Sequence, residues 1–191
     1  MKRFKTVFSR GNGAKKFAND YLATNGNKRR GAVILDGSDT QTLKTLKKHG
    51  WDTNKIFIPN CSKDYDSIAR KHPNSYNITL LDFLREHEGR CFGMVYMDYM
   101  CTLDGNKDMD PKKDLRFLFN KKMLSGNAAL GITISLRSSQ PDVPFSSPDV
   151  VRCIALVQML ANRNGYDARL HPIGGNYSNG GSMATLLFSI G

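Results

Sequence analysis

Residues 31–50, GAVILDGSDTQTLKTLKKHG, restrict the fold more than any other stretch. Val33, Ile34 and Leu35 form the short apolar run that a strand buried on both faces requires. Asp36, Gly37 and Ser38 end that run with an acid and small residues. Asp39 or Thr40 then stands where a helix N-cap belongs, Leu43 and Leu46 supply an apolar stripe, and Gly50 is a stop. Strand, tight turn and helix in this order open a doubly wound unit on its ligand side. The turn keeps one glycine and lacks the three-glycine dinucleotide fingerprint, so its meaning depends on the elements around it.

Those elements alternate. Residues 14–25 give a helix with Phe17, Tyr21 and Leu22 on one face, and 55–58 a strand stopped by Pro59 and Asn60. A helix is expected at about 63–71, a short strand at 77–80 and a helix from Leu81. Residues 91–97, CFGMVYM, are almost wholly apolar and read as a central strand that ends at Asp98-Tyr99. Pro111 opens a helix over 111–123, residues 128–136 form another strand, and Pro148 opens a helix with Val151, Ile154, Ala155, Met159 and Leu160 inward. Strands at about 166–173 and 183–190 close the chain. The Gly/Asn-rich stretch between them, GGNYSNGGS, reads as a hairpin loop.

Five strand–helix alternations imply a parallel sheet covered by helices on both sides. The helix-free link before the last strand sets that strand antiparallel to its neighbours. With 191 residues, one domain over 1–191 is expected, carrying a basic arm at about 1–13. No apolar stretch approaches the ~20 residues of a membrane span. Residues 1–10 lack a signal-peptide core. Cys61, Cys91, Cys101 and Cys153 show no paired spacing, and His49, His72, His87 and His171 are isolated, so no metal is assigned and an intracellular, reducing compartment is expected.

Charge is unevenly placed. The whole chain carries +11, and residues 1–50 hold twelve Lys and Arg against only Asp20, Asp36 and Asp39. Such a concentration fits a polyanion, RNA or DNA, or else a solvated face. The candidate nucleic-acid residues are Lys2, Arg3, Lys5 and Arg10 of the arm and Lys15, Lys16, Lys28, Arg29 and Arg30 of the first helix and loop. Lys44, Lys47 and Lys48 belong to this surface if their helix turns them the same way.

From about residue 14 onward, the order and lengths of these elements resemble the class I S-adenosylmethionine-dependent methyltransferases. That fold is a Rossmann-like, doubly wound, seven-stranded, mostly parallel sheet with an antiparallel C-terminal strand inserted beside the fifth. The resemblance implies S-adenosylmethionine as cofactor. Its first loop corresponds to Leu35-Asp36-Gly37-Ser38-Asp39-Thr40, with most of the family's glycines missing. Asn60 stands where the family places an acid for the ribose hydroxyls, and Asp82 either lies near where the adenine is met or is an acid of a helix N-terminus. The last strand has no glutamate for the lysine–aspartate–glutamate tetrad of cap ribose methyltransferases.

Asp36 is expected to face the crevice and hold the methionine ammonium, or else to be a capping acid. Asp98 is expected to accept a proton or hydrogen bond from the nucleophile, as a solvent-facing acid whose loss costs little stability, and Tyr99 to stack on a base. Cys101 offers a second route, as the nucleophile of carbon-5 methylation. The leading expectation is a methyltransferase acting on nucleic acid. A non-catalytic nucleic-acid-binding subunit, or a small-molecule or protein methyltransferase, is the alternative.

Overall fold

The computed structural model describes residues 5–8, 13–107, 109–136, 147–171, 173–178 and 182–191, with backbone alone at 5–8, 173–178 and 182. In chain order the elements are β1 (Lys5–Phe8), α1 (Gly13–Asn25), β2 (Ala32–Ile34), α2 (Gln41–Lys48), β3 (Ile56–Pro59), α3 (Tyr65–Ala69), β4 (Ser75–Tyr76), α4 (Leu80–Glu86), β5 (Phe92–Asp98), α5 (Pro111–Asn120), β6 (Leu124–Ser135), α6 (Pro148–Asn164), β7 (Ala168–Leu170), β8 (Ile173–Ser178) and β9 (Ser182–Ile190).

All strands join one sheet in the order β1-β8-β9-β6-β5-β2-β3-β4, with β7 also paired to β9. One edge of β9 is occupied by β6, so β7 and β8 share its other edge and form a single interrupted row. Counting that row once gives the expected seven rows, and β1 adds an eighth at the edge. Strands β2, β3, β5 and β6 run parallel, and β9 pairs antiparallel with β6 from Ala128↔Ile190 to Ser135↔Met183.

Alternation along β5 explains why its sequence is apolar throughout. Phe92, Val95 and Met97 point to the layer of α4, α5 and α6, while Met94 and Tyr96 point to the layer of α1, α2 and α3. Burial on both faces leaves no position for a polar residue until Asp98 at the strand end. Helix α1 settles close to β6 at Gly131, where a Cβ would stand 2.7 Å from Leu22 and 2.8 Å from Tyr96. This close approach brings the start of α1, with Lys15, over the carboxyl end of β5.

Four expectations are corrected. Residues 5–8 of the basic arm form a strand that was not expected, its backbone paired parallel with β8. The stretch GGNYSNGGS is not all loop, because Gly174 to Ser178 belong to β8, held by ladders from β1 on one side and β9 on the other. Two-sided pairing here overrides poor strand propensity. The strand expected at 77–80 lies at 75–76, and Thr79 instead caps α4 by accepting from the Asp82 N–H at 3.2 Å. Helix α6 buries Val150, Cys153, Val157, Leu160 and Ala161, leaving Val151, Ala155 and Met159 exposed. Two apolar stripes run along α6, and the one opening at Val150 meets the core.

Candidate active site

Strand order reverses between β2 and β5, and the carboxyl ends of the strands on either side open into a cleft of about 960 Å³. Ligands of doubly wound sheets bind at this place. Residues Asp36, Gly37, Ser38, Asn60, Asp82, Asp98 and Tyr99 all line it, as does Lys15. The local bonding decides what each can offer.

Asp36 is only 3 % exposed. Its carboxylate accepts from the N–H groups of Gly37 (3.1 Å), Thr42 (3.5 Å) and Leu43 (2.8 Å). Burial pushes its pKa up, opposed by the α2 amides and by Lys15. Asp36 therefore caps α2. The cap expected at Asp39 or Thr40 is absent, because Thr40 lies at φ 52°, in the left-handed region, and its hydroxyl is spent on the Asp39 carbonyl at 2.8 Å. A β-branched residue in that region is strained, and such strain concentrates at ligand-binding turns. The turn is closed by Thr40 N–H donating to the Gly37 carbonyl at 2.9 Å and is pinned by the Lys71 ammonium on the Ser38 carbonyl. A Cβ on Gly37 would meet nothing nearer than Asp39 Oδ1 at 3.7 Å, so space is open above this peptide.

Asn60 ties two strand ends together. Its amide donates to the Asp36 carbonyl at 2.9 Å and its oxygen accepts from Ser62 N–H at 2.8 Å. One N–H and one lone pair remain for a ligand. Asp82 accepts from the Thr79 hydroxyl at 2.7 Å and from Arg85 at 3.0 Å, and these bonds hold its carboxyl below the usual range.

Asp98 and Lys15 form an ion pair at 2.9 Å with little side-chain exposure, 9 % and 17 % respectively. Burial pulls the Lys15 pKa down, yet Asp98, with help from Asp36 and Asp39, holds it above the ordinary value. Lys15 is thus part of the cleft and not of an outer basic patch. Asp98 is not a solvent-facing acid either, so the premise behind a small stability cost for its loss does not hold. Tyr99 is 2 % exposed and donates its hydroxyl to Asp114, so its ring lies in the floor and is not a projecting stacking platform. Met100, 55 % exposed, stands on the wall instead. Burial pushes Asp114 to about 6 and Cys101 to about 11, so the Cys101 thiol is protonated at neutral pH and unsuited to nucleophilic attack.

Sequence reasoning missed Lys15 as a cleft residue, and it missed Asp110 and Asp114, which the first turn of α5 brings in. Pro111 and a basic-acidic run were the available signals for α5; nothing local pointed to the Lys15–Asp98 contact. Seven carboxylates line the cleft (Asp36, Asp39, Asp64, Asp82, Asp98, Asp110 and Asp114) against four cations (Lys15, Arg85, Lys107 and Lys113). In a chain of net charge +11 the cleft is an acidic island. Lys28, Arg29 and Arg30 lie before β2, at the opposite end of the sheet from the cleft. Lys16 is exposed on α1. Lys2, Arg3 and Arg10 lie outside the described residues, as does the side chain of Lys5.

This topology recurs in solved structures. A protein assigned as an rRNA methylase from Clostridium thermocellum superposes with a TM-score of 0.60 at 7 % identity, over 96 % of this chain and 99 % of its own. An O-methyltransferase from Bacillus cereus bound to SAH gives 0.58 at 13 % identity, over 97 % and 83 %. TYW2 of M. jannaschii bound to AdoMet gives 0.54 at 14 % identity, over 96 % and 77 %. The fold is that of the class I methyltransferases. No protein-family model matches the sequence, and no curated protein matches it. The methyltransferase fold places the cleft described above at the carboxyl ends of β2, β3 and β5. Among the described residues, no helix is long and apolar enough to cross a membrane.

Proposed function

We propose that this protein is an S-adenosylmethionine-dependent methyltransferase acting on nucleic acid. The observation that carries the reading is the acidic cleft at the strand-order reversal, open above Gly37. Its donor set fits a cationic cofactor: an excess of carboxylates suits a sulfonium and an ammonium, and the missing Cβ of Gly37 leaves room for the methionine portion. Gly37 and Ser38 would cradle that portion, Asn60 would take a ribose hydroxyl with its remaining valences, and Asp82 borders the adenine side. A volume of about 960 Å³ lies at the upper end of the usual ~300–1,000 Å³ range, leaving room for part of an acceptor.

The bound cofactor supplies an activated methyl group, and the rest is positioning. Asp98 positions the acceptor by accepting a hydrogen bond from its N–H or O–H, and takes that proton as the methyl group is transferred. Lys15 pairs with Asp98 at 2.9 Å and fixes its orientation. Asp36 acts at one remove by holding the 37–40 turn. The exposed cations outside the cleft support a polyanionic partner, and a protein assigned as an rRNA methylase among the structural neighbours is compatible with it.

Calorimetry with S-adenosylhomocysteine tests the cofactor, and transfer of labelled methyl groups to RNA and DNA pools tests the acceptor. Micromolar binding together with labelled nucleic acid is the expected result. No binding of S-adenosylhomocysteine would end the methyltransferase reading, and transfer only to small molecules or proteins would end the nucleic-acid one.

A further inference from the structure

The amino ends of four neighbouring parallel strands, in the order β6-β5-β2-β3, lie at the end of the sheet opposite the cleft. Each is preceded by exposed cations. Lys28, Arg29 and Arg30 precede β2, Lys55 precedes β3, Arg90 precedes β5, and Lys121 with Lys122 precedes β6. Contacts join these groups into one surface. Lys28 Nζ donates to the His49 carbonyl at 2.6 Å, beside Lys47 and Lys48. Lys55 Nζ donates to the Arg29 carbonyl at 3.5 Å, and Arg90 sits 5.7 Å from the Phe57 ring centre. Cys91, next to Arg90, reaches the Lys122 carbonyl at 3.4 Å.

We infer that this strand-entrance face is a docking surface for the phosphate backbone of double-helical nucleic acid, separate from the cleft. Four strand rows at about 4.8 Å spacing spread the cations over about 15 Å, enough to meet several phosphates. The aromatic rings nearest the β2, β3 and β5 cations are buried, Phe57 9 % and Trp51 3 % exposed, and the half-buried Phe117 ring is covered by the Lys121 ammonium at 5.8 Å. Without stacking platforms the face suits a duplex backbone, not splayed single strands. The acids nearby are Asp20, Asp52, Glu86 and Glu88; Asp20 contacts His49 at 3.2 Å, and Glu88 is paired with Lys121 at 2.6 Å. Helix-dipole compensation accounts for the lysines that end α2 and follow α5. It does not account for Arg29, Arg30, Lys55 or Arg90, which stand at strand starts. Because the surface lies away from the cleft, it binds whether or not the cleft transfers methyl groups.

Fluorescence anisotropy with a labelled 20-bp RNA duplex, the matching DNA duplex and the single strands tests this over a salt series. The full chain is compared with Arg30→Ser/Lys55→Ser/Arg90→Ser and with a control that removes three exposed cations elsewhere, outside the cleft lining, Lys63→Ser/Arg116→Ser/Arg152→Ser. Circular dichroism and S-adenosylhomocysteine calorimetry on the same samples report folding and the cleft independently. The face variant is expected to lose about tenfold or more in duplex affinity and to flatten the log–log salt slope by roughly 2–3, at about 0.9 per phosphate contact on duplex. The control is expected to stay within about twofold, since such contacts act locally. Equal losses in both variants, no duplex binding by the unaltered chain at ~50 mM salt, single strands preferred, or anionic phosphatidylserine vesicles bound in place of duplex would each overturn the inference. Loss of S-adenosylhomocysteine binding alone would overturn the proposed activity and leave the docking surface standing.

Discussion

The two ends of one sheet carry opposite charge. At the carboxyl ends of the strands, seven carboxylates face four cations inside a cleft, and the key groups are buried and bonded. At the amino ends, cations dominate and are exposed. The difference shows that net charge describes a chain poorly until the fold distributes it. Lys15 and Lys16 are adjacent in sequence, yet one pairs with Asp98 in the cleft and the other faces solvent. Burial makes charges at the cleft end matter for stability and chemistry together. Exposure makes those at the far end matter for encounter with a polyanion and little for folding.

The largest effect should come from breaking the buried pair. Asp98→Ala is expected to lower methyl transfer by about 10²–10⁴-fold, the usual range for a positioned proton acceptor. It should also destabilise the fold by about 1–3 kcal/mol, because Lys15 is left desolvated without its partner. Asp98→Ala/Lys15→Met should regain much of that stability and none of the activity. Urea melts and methyl-transfer rates on the same variants check both statements; an Asp98→Ala protein as stable as the parent would show that the pair is not buried in solution. Next, Asp36→Ala removes the acceptor for the first amides of α2 and should cost about 1–2 kcal/mol, with weakened S-adenosylhomocysteine affinity by calorimetry as the 37–40 turn loosens.

A titration contrasts the ends in another way. Asp114 is buried with its pKa raised to about 6, above its unfolded value near 3.9. The native state therefore binds more protons than the unfolded state between these values. The stability this group contributes is complete below about 4 and is lost as pH rises through about 6. Asp114→Asn should flatten that part of the stability profile by at most about 3 kcal/mol. Thermal melts from pH 4 to pH 7 check it. A parent whose stability rises over that window with an amplitude unchanged in Asp114→Asn would contradict the assignment.

Much of this was legible in the sequence where one physical cause dominated. CFGMVYM could only be a strand covered on both faces, and the helix-free link before residues 183–190 fixed the antiparallel last strand. The cleft residues followed from strand ends, since Asp36, Asn60 and Asp98 each terminate an apolar run. What was not legible depended on contacts between distant segments. The Lys15–Asp98 pair joins positions far apart in the chain. Strand β8 exists because β1 and β9 flank it, not because Gly174 and Gly175 favour extension. Helix α6 carries two apolar stripes, and only packing against the core chose Val150 over Val151. Asp36 replaced Thr40 as the cap because the left-handed Thr40 backbone turned its hydroxyl away.

The smallest expected effect sharpens the contrast most. Glu88 and Lys121 form an exposed pair at 2.6 Å, with about half of each side chain in water. Such pairs contribute about 0–1 kcal/mol, so Glu88→Gln should move the melting temperature by no more than about 2–4 °C in a domain of this size. On the proposed docking face, however, Glu88 repels phosphates and engages a lysine that would otherwise meet one. Its neutralisation should raise duplex affinity about two- to fivefold at ~100 mM salt and steepen the salt slope by up to about 0.9, one phosphate contact's worth. The matched change at the cleft end, Asp64→Asn, removes a carboxylate without uncovering a docking cation and should leave duplex affinity unchanged. Anisotropy titrations of the two variants side by side decide the matter. If both tighten duplex binding equally, the gain reflects total charge and the two ends are not distinct; if Glu88→Gln alone tightens it, the polyanion docks where the strands begin.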